Sequence, residues 1–190
     1  GLAGLGAMAL GASGGIAHGV TIQQSFKASS WRRQPDPQEG RSPRLPARRI
    51  YVPELDLLLK PDTARHLLGS STRARALFGC SDTRCCPHGV SDMLDRPARH
   101  ALFQRARELE AIARSPESVR AQSFLDSRVR PVSDTLARAA NFGALDESLR
   151  KKLAKKQTQV GGFRMALAHS IEANPTPTFA TAPVRRSSRR

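Results

Sequence analysis

Residues 80–100 read CSDTRCCPHGVSDMLDRPARH, and all three cysteines of the chain, Cys80, Cys85 and Cys86, lie within seven positions of this stretch. An odd number of cysteines without a visible secretion signal argues against a disulfide framework. Thiolates and an imidazole are ligands that suit Zn²⁺, and three thiolates with one histidine complete its tetrahedral coordination. The stretch therefore predicts a structural zinc site, with Zn²⁺ as the cofactor.

The fourth ligand has two candidates. His100 lies near the start of a predicted helix, from which its imidazole can face back over the cysteines, and this favours it. His88 follows Cys86 by only two residues, which makes a tight chelate. Two interpretations without metal remain: three reduced, partly buried thiols, or a catalytic Cys–His pair, although nothing singles out one activated thiolate.

Helical periodicity is clearest just after the cysteines. Asp95 is a suitable N-cap, Pro97 suits a first turn, and apolar residues then recur at three- and four-residue steps as far as Ala113. The residues of this predicted apolar face are Leu102, Phe103, Ala106, Leu109, Ile112 and Ala113. Further helices are predicted over 63–68, over 115–125, from Ser133 or Asp134 to about 142, and from Asp146 to a break at Gly161 and Gly162.

The N-terminal segment has no Lys, Arg, Asp or Glu before Lys27. Its many glycines and the lack of a long Leu/Ile/Val/Phe run argue against a membrane span. Leu2, Leu5 and Met8 predict a short helix, and residues 15–20 predict a buried strand. A second strand is predicted to start over 50–52. The fold class expected from these elements is α/β.

Composition changes along the chain predict five segments. They are a buried helix and strand over 1–27, a Pro/Arg-rich linker over 28–49, a zinc-stapled region with amphipathic helices over 50–127, a basic helical region over 128–173 and a disordered basic tail over 174–190. We expect no membrane association and a cytoplasmic protein.

The chain carries 31 Lys and Arg against 16 Asp and Glu, a net charge of +15. Five basic residues lie within seven positions of the predicted helix after Asp146, namely Arg150, Lys151, Lys152, Lys155 and Lys156. Such a cluster favours a nucleic-acid partner, tRNA or DNA, held through phosphate contacts and counterion release. The alternative is a solvated helix face.

The cysteines, followed by a histidine that opens the Arg-rich helix HALFQRAREL, resemble the zinc-binding region of tRNA-guanine transglycosylases. In that family three cysteines in a C-x-C-x-x-C pattern are joined by a histidine that starts the last barrel helix; the spacing here is C-x4-C-C. The resemblance implies that Cys80, Cys85, Cys86 and His100 are the ligands. It also implies that the segments before them form the closing part of a TIM-like barrel.

The resemblance implies a transglycosylase-like protein that exchanges a nucleobase in tRNA or DNA, with this chain as its structural, zinc-binding carboxyl-terminal part. No aspartate in residues 1–35 matches the family's catalytic pair, so no complete active site is visible and no catalytic residue is assigned. The alternative is a small zinc-stabilised nucleic-acid-binding protein without catalytic activity.

Overall fold

The computed structural model describes residues 1–14, 49–140, 142 and 145–174. The described part is mostly helical, with two short strands. The elements are α1 (Leu2–Ala9), β1 (Ile50–Val52), β2 (Leu57–Leu59), α2 (Pro61–Gly69), α3 (Thr72–Phe78), α4 (Val90–Asp95), α5 (Pro97–Arg114), α6 (Glu117–Phe124), α7 (Arg130–Ala139) and α8 (Glu147–Ala173). Among these helices none combines the length and the apolar character needed to cross a membrane.

The two strands form an antiparallel hairpin in which Tyr51 pairs with Leu58. A 3-10 turn over Pro53–Leu55 connects them, and Asp56 completes the turn in the left-handed conformation, with φ 45°. TIM-barrel strands are parallel, whereas this hairpin is antiparallel, so the described residues show no barrel. They are mostly helical, with one two-stranded sheet, rather than of the expected α/β class. The predicted strand over 15–20, all of the predicted 28–49 linker except Arg49, and all of the predicted 174–190 tail except Asn174 lie outside the described residues.

Helix α5 begins at Pro97, close to the prediction, but with Arg96 rather than Asp95 as its N-cap. Its buried face was predicted correctly only in part: Ile112 is buried, and Phe103 and Leu109 pack partly buried against the core. Leu102 and Ala106 are exposed, whereas the polar residues His100 and Arg105 are buried. Polar side chains face inward here because each finds a partner on the hairpin, a compensation that apolar periodicity does not detect.

Helices α6 and α7 are joined by a π-helical stretch, Leu125–Val129, which continues the helix without a break. The prediction of a separate helix capped by Ser133 or Asp134 is therefore wrong. Pro131 lies in the first turn of α7 rather than breaking the helix. Leu125, Val129 and Leu136 are buried along one side, so tertiary packing accounts for the continuity.

Helix α8 begins where the sequence predicts, because the Asp146 side chain accepts a hydrogen bond from the Leu149 backbone N–H at 2.6 Å. The predicted break at Gly161 and Gly162 is wrong, since the helix continues to Ala173. Val160 and Leu167 are both buried, one on each side of the glycine pair. Their packing outweighs the cost of about 1 kcal/mol that a glycine adds in a helix.

Two Gly→Ala substitutions are expected to have opposite effects on stability. At Gly162 a Cβ would meet no atom within 4 Å, so alanine should stabilise the fold by about 0.5–1 kcal/mol. At Gly6, in α1, a Cβ would lie 2.5 Å from the Phe163 ring, and alanine should destabilise by about 1–3 kcal/mol through overpacking. Urea denaturation measures both; the same sign for the two variants would contradict the packing of α1 against α8.

Candidate metal centre

Two tight turns bring the cysteines together between α3 and α4. The backbone N–H groups of Cys85 and Cys86 both donate to the carbonyl of Asp82, at 3.1 and 2.8 Å. The Gly89 N–H donates to the Cys86 carbonyl at 2.8 Å, and Gly89 has a φ of 63°, which glycine adopts without strain. The loop therefore folds back on itself and directs its thiols toward α5.

The thiols of Cys80, Cys85 and Cys86 and a ring nitrogen of His100 lie within 4.8 Å of one another. The Sγ atoms of Cys85 and Cys86 are 3.6 Å apart, and the His100 Nδ1 lies 3.4 and 3.5 Å from them. Tetrahedral zinc with Zn–S bonds of about 2.3 Å and Zn–N bonds of about 2.05 Å implies an S···S separation of about 3.8 Å and an S···N separation of about 3.6 Å. The three distances match this geometry to within about 0.2 Å.

The imidazole of His100 is held in one orientation by the hairpin. Its Nε2 lies 3.0 Å from the Tyr51 backbone carbonyl, which is an acceptor only, so Nε2 carries the proton and donates. Nδ1 is then unprotonated and faces the thiols, the arrangement that metal-binding histidines commonly show. Burial lowers the pKa of His100, which keeps the ring neutral at physiological pH.

His88, the other candidate ligand, lies outside the cluster. Its side chain is 80% exposed, and its Nδ1 lies 3.1 Å from the Asp92 carboxylate. The backbone N–H of His88 donates to the same carboxylate at 2.7 Å. The structure therefore brings His100, and not His88, to the three cysteines.

The three cysteines are free thiols; Cys85 and Cys86 are buried and Cys80 is partly buried. Burial raises the pKa of Cys85, and burial together with the neighbouring thiols raises that of Cys86. A raised pKa is the opposite of what an activated nucleophile needs. A dication among the sulfurs would reverse this and stabilise the thiolates, so the cluster is suited to binding metal rather than to attack on a substrate.

Gln104 supports the cluster from α5, one turn beyond His100. Its side-chain N–H donates to the Cys80 Sγ at 3.5 Å. Hydrogen bonds of this kind orient a thiolate ligand and reduce its negative charge. Helix α5 thus supplies both a ligand and a supporting group.

A second buried cluster, which no local sequence pattern indicates, is centred on Asp56 in the hairpin turn. Its carboxylate is only 1% exposed and accepts from Lys156 at 2.6 Å, Arg105 at 3.0 Å and the Tyr51 hydroxyl at 3.2 Å. Burial by itself raises the pKa of Asp56, but Lys156 and Arg105 outweigh it and lower that pKa to about 2. Asp56 therefore remains ionised and ties the hairpin to α5 and α8.

Glu108 extends this charge cluster. Its carboxylate accepts from Arg105 at 2.6 Å and pairs with Arg128. It lies 3.0 Å from the Tyr51 hydroxyl, whose single proton it shares with Asp56. Because cations and a hydroxyl occupy the oxygens of both Asp56 and Glu108, neither carboxylate is available as a general base. No sequence signal marks this cluster, since Asp56 and its partner Lys156 are 100 positions apart.

The basic residues predicted to bind nucleic acid do not all face solvent. Lys156 is directed inward to Asp56, with its side chain 17% exposed. Lys151 is exposed and lies 3.5 Å from Glu147. The others, Arg150, Lys152 and Lys155, are exposed on α8.

In comparisons with known proteins, no family model, no curated protein and no solved structure matches this chain. The class of protein is therefore defined by the fold and the site alone. It is a mostly helical protein whose Cys3His cluster is arranged as a metal-binding site.

Proposed function

We propose that the Cys3His cluster binds one Zn²⁺ ion in a structural role. The observation that carries this proposal is the convergence of three thiols and one unprotonated imidazole nitrogen within 4.8 Å of one another. Four protein ligands complete the coordination of zinc and leave no position for a reactive water, which is typical of structural rather than catalytic sites. The ion would tie the 80–86 loop to α5, and through His100 to the hairpin.

Metal analysis of the purified protein tests the zinc proposal. We expect one zinc per chain in the wild type and in His88→Ala, and a much lower content in His100→Ala. Cobalt substitution should give the visible absorption of a tetrahedral thiolate site in the first two proteins only. Metal-free wild-type protein with three freely alkylated thiols would refute the proposal.

We propose further that the chain acts in nucleobase exchange, as the structural carboxyl-terminal part of a transglycosylase-like protein acting on tRNA or DNA. This is supported by the order of the ligands, three cysteines followed by a histidine in the first turn of the Arg-rich helix α5. The engagement of Asp56 and Glu108 in ion pairs fits a supporting part whose catalytic carboxylates lie elsewhere.

Nucleoside analysis of cells tests the exchange proposal on the whole protein. Deletion of the gene should remove a modified guanosine-type nucleoside from tRNA or from DNA, as detected by mass spectrometry of the digested nucleic acid. The wild-type gene should restore this nucleoside, and a Cys85→Ser gene should not. Identical nucleoside profiles in the deletion and parent strains would contradict the proposal.

The second candidate function is nucleic-acid binding without chemistry. The overall charge of +15 and the exposed arginines and lysines of the described residues favour it. It predicts salt-sensitive binding to tRNA or duplex DNA and an unchanged nucleoside profile after deletion. A flat plot of log affinity against log salt concentration would reject it.

A further inference from the structure

We propose that a groove on the exposed face of α5, beside the metal cluster, binds the phosphodiester backbone of nucleic acid. Arg84, Arg107 and Arg114 line this groove together with Phe103, and we call it the arginine groove. The inference rests on the proposed nucleic-acid function and assigns the contact to a surface other than α8.

The spacing of residues in α5 places Arg99, Arg107 and Arg114 on one face of the helix, together with Phe103 and Glu110. Positions 99, 103, 107, 110 and 114 are three or four residues apart, so their side chains share one side of the helix. The buried side carries His100, Ala101 and Arg105 toward the hairpin and the core. The arginine groove has a volume of about 390 Å³.

The loop that carries the cysteines supplies the remaining wall of the groove. The Arg84 guanidinium lies 6.0 Å from the centroid of the Phe103 ring, a cation–π distance. Arg99 donates to the Arg84 backbone carbonyl at 3.2 Å, which fixes the loop against α5. Since Arg84 immediately precedes Cys85, the metal cluster positions one wall of the groove.

The arginines remain accessible to a ligand although two carboxylates lie near them. Asp82 accepts from Arg107 at 2.8 Å and from Arg84 at 3.5 Å, and Glu110 accepts from Arg114 at 3.3 Å. The side chain of Arg84 is 76% exposed, that of Arg107 is 51% exposed and that of Arg114 is 81% exposed. The Arg114–Glu110 pair is exposed on both sides and contributes little to stability, whereas the Asp82 carboxylate is only 14% exposed. Each guanidinium has five N–H donors, so those that do not face a carboxylate can donate to phosphate oxygens.

The linear arrangement of the cations indicates a polymer rather than a single anion. Arg99 and Arg114 are 15 residues apart on one helix, which places them about 22 Å apart along its axis. Phosphates of a duplex strand repeat every 3.4 Å or so along the axis, so this face spans several of them. The half-buried Phe103 adds an apolar ring between the cations, which suits a sugar or base edge beside the backbone.

Charge-matched variants test the location of the interface by fluorescence anisotropy with labelled tRNA and duplex DNA. The groove variant is R84Q/R107Q/R114Q, and the control is R150Q/K152Q/K155Q on α8, which also loses three charges. We expect the groove variant to bind about tenfold or more weakly, with a log–log salt slope smaller by about 2 to 3. The α8 variant should lose less than about threefold. Circular dichroism melting establishes that each variant is folded.

The outcomes separate this inference from the proposed function on which it rests. Suppose that the wild type binds nucleic acid and that the α8 variant, rather than the groove variant, loses affinity. The assignment of the binding site to the arginine groove is then wrong, while the proposal of nucleic-acid binding is supported. If the wild type binds neither tRNA nor DNA, both fail. Polyglutamate that competes with an affinity equal to that of nucleic acid would also overturn the inference, since the groove would then accept any polyanion.

Discussion

Cys85→Ser is expected to leave the chain without bound metal and largely unfolded at 25 °C. Structural zinc sites supply an apparent binding free energy of about 10–16 kcal/mol, whereas a whole domain is stable by only about 5–15 kcal/mol. Cys85 is 1% exposed, so no solvent-borne ligand can replace its thiolate. The measurements are metal content, far-UV circular dichroism and thermal melting.

A chelator and a neighbouring histidine provide the controls for Cys85→Ser. Chelation should bring the melting curve of the wild type to that of the variant, with no further change in the variant. His88→Ala should behave as wild type, because its imidazole is exposed and outside the cluster. A Cys85→Ser protein that keeps one zinc per chain, or a wild type whose melting is unaffected by metal removal, would show that the cluster is not a structural zinc site.

Asp56→Asn is expected to destabilise the protein by about 3–5 kcal/mol, the usual cost of removing one partner from a buried ion pair. Lys156 and Arg105 would remain buried without their counter-charge. Asparagine tolerates the left-handed backbone that Asp56 adopts, so the substitution isolates the charge. The free energy of unfolding from urea denaturation gives the measurement.

The exposed Asp62→Asn provides the matched control, because the Asp62–Arg65 pair faces solvent and should contribute no more than about 1 kcal/mol. The folded-state pKa of Asp56 is about 2, below its ordinary value of 3.8. Its contribution is therefore complete above about pH 4 and is lost as the pH falls toward 2. The difference in stability between wild type and Asp56→Asn should shrink over that range. A difference that is constant with pH, or as small as for Asp62→Asn, would show that the charge cluster does not support the fold.

Local sequence patterns predicted the elements whose determinants lie within a few residues. The N-cap Asp146 and the start of α5 near Pro97 follow from hydrogen-bonding and backbone preferences of single residues. The local patterns fail where packing between residues far apart in the chain determines the structure. The continuity of α8 through Gly161 and Gly162 depends on the burial of residues on both sides of the pair.

The sequence alone determined that the chain is strongly basic. It also determined that the three cysteines share one short loop, because they lie within seven residues along the chain. It did not determine whether His88 or His100 is the fourth ligand, since the distance from a thiol to an imidazole depends on how α5 lies against the hairpin. Only the tertiary structure selected His100, through the Tyr51 carbonyl that orients its ring. Only the tertiary structure turned Lys156 inward and gathered Asp56, Arg105 and Glu108, because charges far apart in the chain pair in the interior only when the fold removes them from water together.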